Sequence, residues 1–435
     1  MKIALLEINK PGDNKDFNGG FGTTFQIGNS LKARALSFIR SNLENIPTMS
    51  YTYLSSIFKR DGHSVKYYFN EVPDSSDIVL IHVSLIRHNE EIKFIRNLKA
   101  RGERVGVYGP LASVRPFLFG DADFVIQGEP EEIVVEISKS GNIPKGIVKS
   151  NPVMDLDSLY FPDWDLFSEK DFSLAPAISA KPAFFVHASR GCPYGCSYCP
   201  YLVFGTYRVR KPEKVIEELV FLKKKYGMRG FYFRDPTFSI NETRIKKIVR
   251  LMIEKKLNLE WGCETRLDLL SIPLLRLMYD SGLRAIKVGI ESMNHGLLES
   301  HGRIPPKIRH QEEIIKFCEK KGIKVIAFYI IGLPSDTLKS IKETIQYSRR
   351  LNTSFANFTI CTPIPGTGFY DELKEKIIEK DLNKYDNFHV VFEHDNLSKK
   401  EILKLQEEAI TGYYFRLKYI FRYFFNKVKE FNFLK

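Results

Sequence analysis

Short apolar runs alternate with helical patterns along the first 140 residues. The apolar runs predict strands, and the segments at 50–60 and 89–101 carry apolar residues at helical spacing. This alternation predicts an N-terminal doubly wound, Rossmann-like α/β domain over residues 1–140, in which ligands bind at the carboxyl ends of the strands. The predicted strands are residues 2–8, 64–68, 77–83, 104–108 and 123–127.

The same alternation occurs six more times between residues 181 and 375. One helix is predicted to begin at Pro212, a favourable first-turn residue, and another to have Asp336 as its N-cap. Six strands with six helices predict a partial (β/α)6 barrel, whose chemistry lies at the C-terminal ends of the strands. The predicted strands are residues 184–189, 230–234, 259–264, 284–290, 324–331 and 356–361.

The segments outside these two patterns have different compositions. Residues 141–180 contain several prolines that break regular structure and are predicted to be a linker. Residues 376–435 are predicted to form a C-terminal helical extension, with Ser398 and Glu401 spaced as a capping box. Residues 10–50 are irregular and include Gly19-Gly20-Phe21-Gly22; we expect this long loop to cover a cofactor cleft.

The last 24 residues, 412–435, combine ten aromatic and six basic residues with one acid. A helix with this composition can dock on the barrel or lie on an anionic membrane surface, and we favour docking. The predicted apolar stripe consists of Tyr414, Leu417, Phe421, Phe424 and Val428.

The overall composition is that of an ordinary soluble globular protein, with 43% hydrophobic and 27% charged residues. The apolar run at the N-terminus is short, contains Glu7 and reads as a strand rather than a signal sequence. We therefore expect a reducing, cytoplasmic setting. The composition of the C-terminal tail also allows peripheral contact with the inner face of the membrane. The net charge of +13 comes from lysines spread over nearly every helix, which favours a solvated surface over nucleic-acid binding.

Three of the six cysteines fall within eight residues. Cys192, Cys196 and Cys199 have the spacing C-x3-C-x2-C and follow directly on the first predicted barrel strand. Three thiolates can hold three irons of a [4Fe–4S] cluster and leave the fourth iron open. An open metal position is typical of catalytic rather than structural sites.

Two other interpretations of these cysteines are weaker. A structural zinc site needs a fourth ligand, for which His187 is the only nearby candidate, and no second CxxC follows. A disulfide framework is disfavoured because three clustered cysteines cannot all pair. The remaining cysteines are isolated and are interpreted as small buried hydrophobes; they are Cys263, Cys318 and Cys361.

With Tyr198 before the last cysteine, this loop resembles the signature of the radical S-adenosylmethionine (SAM) enzymes. The resemblance implies that SAM binds the open iron through its amino and carboxylate groups and is cleaved reductively to methionine and a 5′-deoxyadenosyl radical. It also implies SAM contacts at the ends of the barrel strands. The expected contacts are Tyr198, Asp235, Arg266 and Glu291.

The first 140 residues resemble the cobalamin-binding domain that precedes the barrel in one radical SAM subfamily. The D-x-H-x-x-G cobalt-ligating motif is absent, because Asp61-Gly62-His63 is followed by Lys66 where the glycine belongs, and the frequent G-G-x-H turn is altered. The cobalamin contacts implied by the resemblance are Ser84, Gly109, Gly128 and Glu129.

The resemblance implies hydrogen abstraction from an unactivated carbon. The leading expected outcome is cobalamin-dependent C-methylation of a small-molecule or lipid substrate, with a reductant such as flavodoxin or ferredoxin. An alternative is a cyclase, epimerase or rearrangement enzyme with a vestigial cobalamin domain. An alternative of another class is a non-catalytic metal-binding module with a membrane-docking tail.

Overall fold

A computed structural model describes residues 1–10, 13–24, 30–41, 44–45, 47–167 and 172–423. The strands are β1 (Lys2–Glu7), β2 (Glu44–Asn45), β3 (Ser64–Phe69), β4 (Ile78–His82), β5 (Val105–Tyr108), β6 (Phe124–Gln127), β7 (Gly146–Lys149), β8 (Ser173–Leu174), β9 (Ala183–Val186), β10 (Ser189–Arg190), β11 (Arg208–Val209), β12 (Gly230–Phe233), β13 (Glu260–Thr265), β14 (Leu283–Glu291), β15 (Lys324–Ile331) and β16 (Phe355–Ile360). The helices are α1 (Leu31–Ser41), α2 (Ser50–Arg60), α3 (His88–Ala100), α4 (Pro110–Val114), α5 (Glu131–Ser140), α6 (Pro212–Tyr226), α7 (Glu242–Glu254), α8 (Ile272–Asp280), α9 (His295–Ser300), α10 (Ile308–Lys321), α11 (Leu338–Leu351), α12 (Gly368–Leu373) and α13 (Lys399–Tyr414).

The N-terminal sheet has six parallel strands in the order β3-β1-β4-β5-β6-β7. Alternate residues of β1 face opposite sides: Ile3 and Leu5 pack with α2 and α5, whereas Ala4 and Leu6 pack with α3. The sheet is therefore doubly wound, as predicted. Its edge strand β7 lies beyond residue 140, inside the segment predicted to be a linker.

The second sheet has the order β16-β15-β14-β13-β12-β9, and all of its strands are parallel. This is the predicted six-stranded partial barrel, and β15 has the predicted bounds. The predicted N-cap Asp336 is wrong, because Thr337 caps α11 and accepts a hydrogen bond from the Ser340 backbone. Asp336 instead accepts hydrogen bonds from the Leu333 amide and the Ser340 hydroxyl.

The C-terminal helix α13 begins with the predicted capping box at Ser398 and packs on β16. The helix breaks after Tyr414 and a helical segment resumes at 417–423. This break divides the predicted stripe: the Tyr414 hydroxyl bonds to the backbone of Ala356, whereas Leu417 and Phe421 are 72% and 59% exposed. Phe424 and Val428 lie outside the described residues. Within the described ranges, no helix has the length and apolar character needed to cross a membrane.

The two sheets are joined by charged and apolar contacts. Glu129, after β6, accepts hydrogen bonds from Arg208 at 2.5 Å and from Arg190 at 3.3 Å, and Glu131 accepts from Arg190 at 2.7 Å. These ions are largely shielded from water, so each requires its partner. The predicted cobalamin contact Glu129 is thus part of the junction with the cysteine loop, because Arg190 immediately precedes that loop.

Candidate active site

The three clustered cysteines lie in one loop between β10 and β11, beyond the C-terminal end of β9. The loop begins at Gly191, whose φ is +74° and whose added Cβ would lie 2.6 Å from the Thr206 carbonyl oxygen. Only glycine fits this turn without moving backbone. Cys192, Cys196 and Cys199 all line the same cavity. The local sequence therefore directs all three cysteines to one wall of the barrel mouth.

A second loop, residues 300–304, braces the cysteine loop. The Ser197 amide donates to the His301 carbonyl at 2.9 Å, and the Ser197 hydroxyl lies 3.1 Å from His301 Nδ1. Gly302 has a φ of +72°, and its added Cβ would lie 2.6 Å from the Gly195 carbonyl oxygen. The two backbones approach so closely that one cannot shift without the other.

An acid and a cation meet at the end of β14. Glu291 has a φ of +66°, an unfavourable value for a residue with a side chain, and such strained residues concentrate at functional sites. Its carboxylate folds back over Gly289, where a Cβ would lie 2.0 Å from Oε1. Arg303 Nη2 lies 3.9 Å from that carboxylate and donates to the Gly289 carbonyl at 2.6 Å. Burial raises the pKa of Glu291, and the positive charges of Arg303 and Arg266 oppose the rise.

Arg266, which is predicted to contact SAM, lines the cavity just beyond the end of β13. Its guanidinium bonds both carboxylate oxygens of Asp268 at 3.0 Å, donates to the Ile304 carbonyl and lies 4.1 Å from the ring centre of Tyr194. Tyr194 is in the cysteine loop, so Arg266 connects three loops around the cavity. Arg266 and Asp268 therefore form a salt bridge at the end of this barrel strand.

The other two predicted SAM contacts lie in different surroundings. Asp235 is fully buried behind the loop, where it accepts hydrogen bonds from the Ala188 amide at 2.8 Å and the Ser189 hydroxyl at 2.5 Å. It braces the start of the cysteine loop, whereas Thr237 faces the cavity. Tyr198 lines the cavity, and within the described part of the chain its hydroxyl has no hydrogen-bond partner.

Residues 13–24 of the irregular N-terminal loop lie across the barrel mouth. Phe17 lines the cavity, with the Arg234 guanidinium 4.8 Å and Lys287 Nζ 4.4 Å from its ring centre. Arg234 is also paired with Glu264 at 2.5 Å and donates to the Asp16 carbonyl at 2.6 Å. The described part of this loop therefore covers the site, as expected.

Four residues of the cavity wall were not predicted from the sequence: Phe17, Thr237, Lys287 and Arg303. Arg303 follows the short helix α9 in a loop without periodicity, and Phe17 comes from the loop that follows β1. Only the His301-Gly302-Arg303 run, with a glycine beside two titratable residues, offered a local signal for the bracing loop.

The cavity has a volume of about 990 Å³. Its upper wall, at the C-terminal ends of the strands, carries the three thiols together with acidic and basic groups. These groups are Glu264, Arg266, Glu291 and Arg303, and Lys287 lines the cavity from the middle of β14. A ligand with an amino group, a carboxylate and ribose hydroxyls finds acceptors and donors of both signs here.

The residues present fit an iron–sulfur cluster. Burial raises the pKa of the Cys199 thiol to about 12 and also raises the pKa of Cys196. Thiolates in such surroundings need a bound cation, which iron would provide. His187, the predicted zinc-ligand candidate, stacks on Tyr53 with ring centres 6.1 Å apart and lines a separate small cavity with Arg190.

The residues predicted to contact cobalamin, at the edge of the N-terminal sheet, are engaged by contacts within the protein. Ser84 is fully buried, and its amide and hydroxyl donate to the Glu91 carboxylate at 2.9 and 3.0 Å. An added Cβ on Gly109 would lie 2.4 Å from His82, and one on Gly128 would lie 2.2 Å from a backbone oxygen. Both glycines are therefore required by contacts within the protein.

Apolar side chains cover the ends of β4 and β5. Leu85 and Leu111 have no exposed surface and share one hydrophobic cluster with Ile364 and Phe369 from beyond the barrel strands. A corrin bound at this edge would have to displace those contacts. His63 lies at the other end of the sheet, where it bonds to the N-terminal amine and a backbone carbonyl.

Residues 186–348 match the family model described as the radical SAM superfamily. The chain is 25% identical over 396 residues to the bacteriochlorophyllide d C-12(1)-methyltransferase of Chlorobaculum tepidum, covering 85% of this chain and 82% of the relative. It is 28% identical over 284 residues to the anaerobic magnesium-protoporphyrin IX monomethyl ester cyclase of Rubrivivax gelatinosus, covering 64% and 50%.

A solved structure with the same arrangement is that of the radical SAM methyltransferase TsrM from Kitasatospora setae, with cobalamin and a [4Fe–4S] cluster bound. The TM-score is 0.64 at 15% identity, over 86% of this chain and 78% of that one. The shared fold includes both the N-terminal sheet and the barrel.

Proposed function

We propose that this chain, whose barrel is a radical SAM domain, is an enzyme that abstracts a hydrogen atom from an unactivated carbon of a small-molecule substrate. The observation that carries the proposal is the placement of three thiols in one cavity wall with Glu291, Arg266 and Arg303. The match to the family supports a [4Fe–4S] cluster and SAM as the cofactors.

Cys192, Cys196 and Cys199 would hold the cluster. When bound, the cluster supplies one electron for cleavage of SAM to methionine and a 5′-deoxyadenosyl radical. Arg266 and Arg303 place positive charge where the SAM carboxylate is expected, and Glu291 can accept hydrogen bonds from ribose hydroxyls. Phe17 and its loop shield the radical from water. The substrate C–H bond would break homolytically, its hydrogen atom would pass to the 5′ carbon to give 5′-deoxyadenosine, and the unpaired electron would remain on the substrate carbon.

The proposal is tested by anaerobic reconstitution with iron and sulfide, followed by iron counting and detection of 5′-deoxyadenosine after addition of SAM and dithionite. We expect Cys199→Ala to lose the cluster and product formation. Cys318→Ala is the matched control, because Cys318 is buried in α10, outside the cavity wall, and should retain both. Stoichiometric zinc in place of iron, or product formation by the Cys199 variant, would refute the assignment.

Cobalamin-dependent methylation is a second candidate outcome. Relatives named as methyltransferases and the cobalamin-bound TsrM structure favour it. The covered edge of β4 and β5 disfavours it, and the cyclase relative supports a radical reaction of another kind. Purification with added hydroxocobalamin separates these outcomes. Stoichiometric corrin absorbance together with transfer of the SAM methyl group would favour methylation, whereas their absence would favour the corrin-free reaction.

A further inference from the structure

The lower part of the cavity has features that SAM binding does not require, and we propose that it holds the hydrocarbon chain of an anionic amphiphile, the substrate of the radical reaction. This inference rests on the proposed function, because it assigns the substrate class of the same cavity. The hydrocarbon chain of this ligand lies between the cluster end of the barrel and the opposite end, and it contains the carbon that reacts.

The first observation is the length of the cavity along β15. Four alternate residues of this strand line it, from Ile330 near the cysteine loop through Phe328 and Ile326 to Lys324, the first residue of the strand. At about 3.3 Å per residue, the six-residue span is about 20 Å. The cavity therefore passes the whole depth of the barrel on this side.

The second observation is the burial pattern of β15. The residues between the cavity-lining ones are buried, whereas Phe328 and Ile330 are only partly buried although β15 has a neighbouring strand on each side. Phe355, at the start of β16, is also partly buried and lines the cavity. These apolar side chains face open space inside the protein, which favours an apolar ligand that removes them from water.

The third observation is the wall that closes the side of the barrel. Tyr414, Phe415 and Tyr419 line the cavity from the C-terminal helical region, and Leu36 lines it from α1. Tyr414 is held by its hydroxyl contacts with the backbone of Ala356. The aromatic tail therefore forms one wall of the chain-binding space.

The lower mouth reaches the protein surface. Ser179, Phe415 and Tyr423 line the cavity and are exposed, so an amphiphile can keep its head group in water there. Lys324 and Arg422 line the same mouth, where the Arg422 guanidinium is paired with Glu319 at 3.7 Å. The Lys324 ammonium donates to the Ser179 hydroxyl at 3.1 Å and places its positive charge at this exposed end. An anionic head group fits this end, while the upper end carries the cysteines.

The test uses the reconstituted full-length enzyme and the fluorescent long-chain fatty acid cis-parinaric acid. We expect saturable binding that short-chain hexanoic acid does not displace. Ile326→Trp places an indole in the middle of the chain-binding space and should weaken binding at least tenfold. Phe117→Trp, at a position 86% exposed on the N-terminal unit, is the matched control and should bind like the unaltered protein.

Iron content and unfolding temperature show whether the Ile326 variant has folded. If this variant does not fold, the inference is tested by cross-linking the unaltered enzyme with a diazirine-bearing long-chain fatty acid. Peptides of β15, β16 or residues 414–423 should then carry the label. Absent saturable binding, or cross-links confined to other surfaces, would overturn the inference. Formation of 5′-deoxyadenosine without fatty acid is measured separately, so failure of the substrate assignment is distinguishable from failure of the radical chemistry.

Discussion

Replacing Gly302 by alanine should detach the cysteine loop from its brace. Gly302 has a φ of +72°, and left-handed backbone costs a residue with a Cβ about 1–2 kcal/mol. The new Cβ would also lie 2.6 Å from the Gly195 carbonyl oxygen, whereas ordinary contact begins at 3.4 Å. The cysteine loop must therefore retreat by about 0.8 Å, next to Cys196, and overpacking of this kind costs a further 1–3 kcal/mol, roughly.

The matched control is Gly322→Ala. Gly322 has a φ of +82° at the C-terminus of α10, and an added Cβ there meets no atom within 4 Å. This variant should lose about 1–2 kcal/mol of stability from backbone strain alone. Its cluster should remain intact, because the substitution touches nothing near the cysteines.

Three measurements on the two variants separate strain from displacement of the loop. We expect Gly302→Ala to lose about 2–5 kcal/mol of unfolding free energy in urea, most of its reconstituted iron and its 5′-deoxyadenosine formation. Gly322→Ala should keep its iron and its activity. Equal iron content and equal activity in the two variants would show that the bracing loop does not position Cys196, and the reasoning would fail.

Three further predictions concern stability. Burial raises the pKa of Asp16 to about 6, so its ionisation destabilises the native state as pH rises from about 4 to 7. The Asp16→Asn variant should therefore be more stable than the unaltered protein by about 2 kcal/mol at pH 8 but little more stable at pH 4, as measured by urea unfolding at each pH. Glu129→Gln leaves Arg208 without its carboxylate and removes one of the two carboxylates that pair with Arg190, so it should cost about 3 kcal/mol, whereas Glu136→Gln, at an exposed position of α5, should cost less than about 1 kcal/mol; equal losses would contradict the role of the junction. Tyr414→Phe removes the hydroxyl contacts with Ala356 and should lower stability by about 1–2 kcal/mol, with faster amide exchange of residues 399–414 as the check.

The order of strands and helices could be predicted because the two periodicities are local properties of the chain. Residues 324–331 and 50–60 were predicted with the observed bounds. The prediction missed β7, because an exposed edge strand of four residues between prolines carries no clear apolar alternation. The predicted cap at Asp336 was wrong because Thr337 is an equally suitable cap one residue later, and only the backbone geometry distinguishes them.

The amino-acid sequence by itself determined the chemistry that is available, since the cysteine spacing and the positions after each strand are fixed along the chain. Folding decided which of those residues meet. Asp235 follows a barrel strand as predicted but is turned behind the loop, whereas Arg303 and Phe17 reach the cavity from distant segments. The contacts that cover the ends of β4 and β5, and the side chains that line the cavity beside β15, come from residues far apart in the chain, so no local pattern could show them.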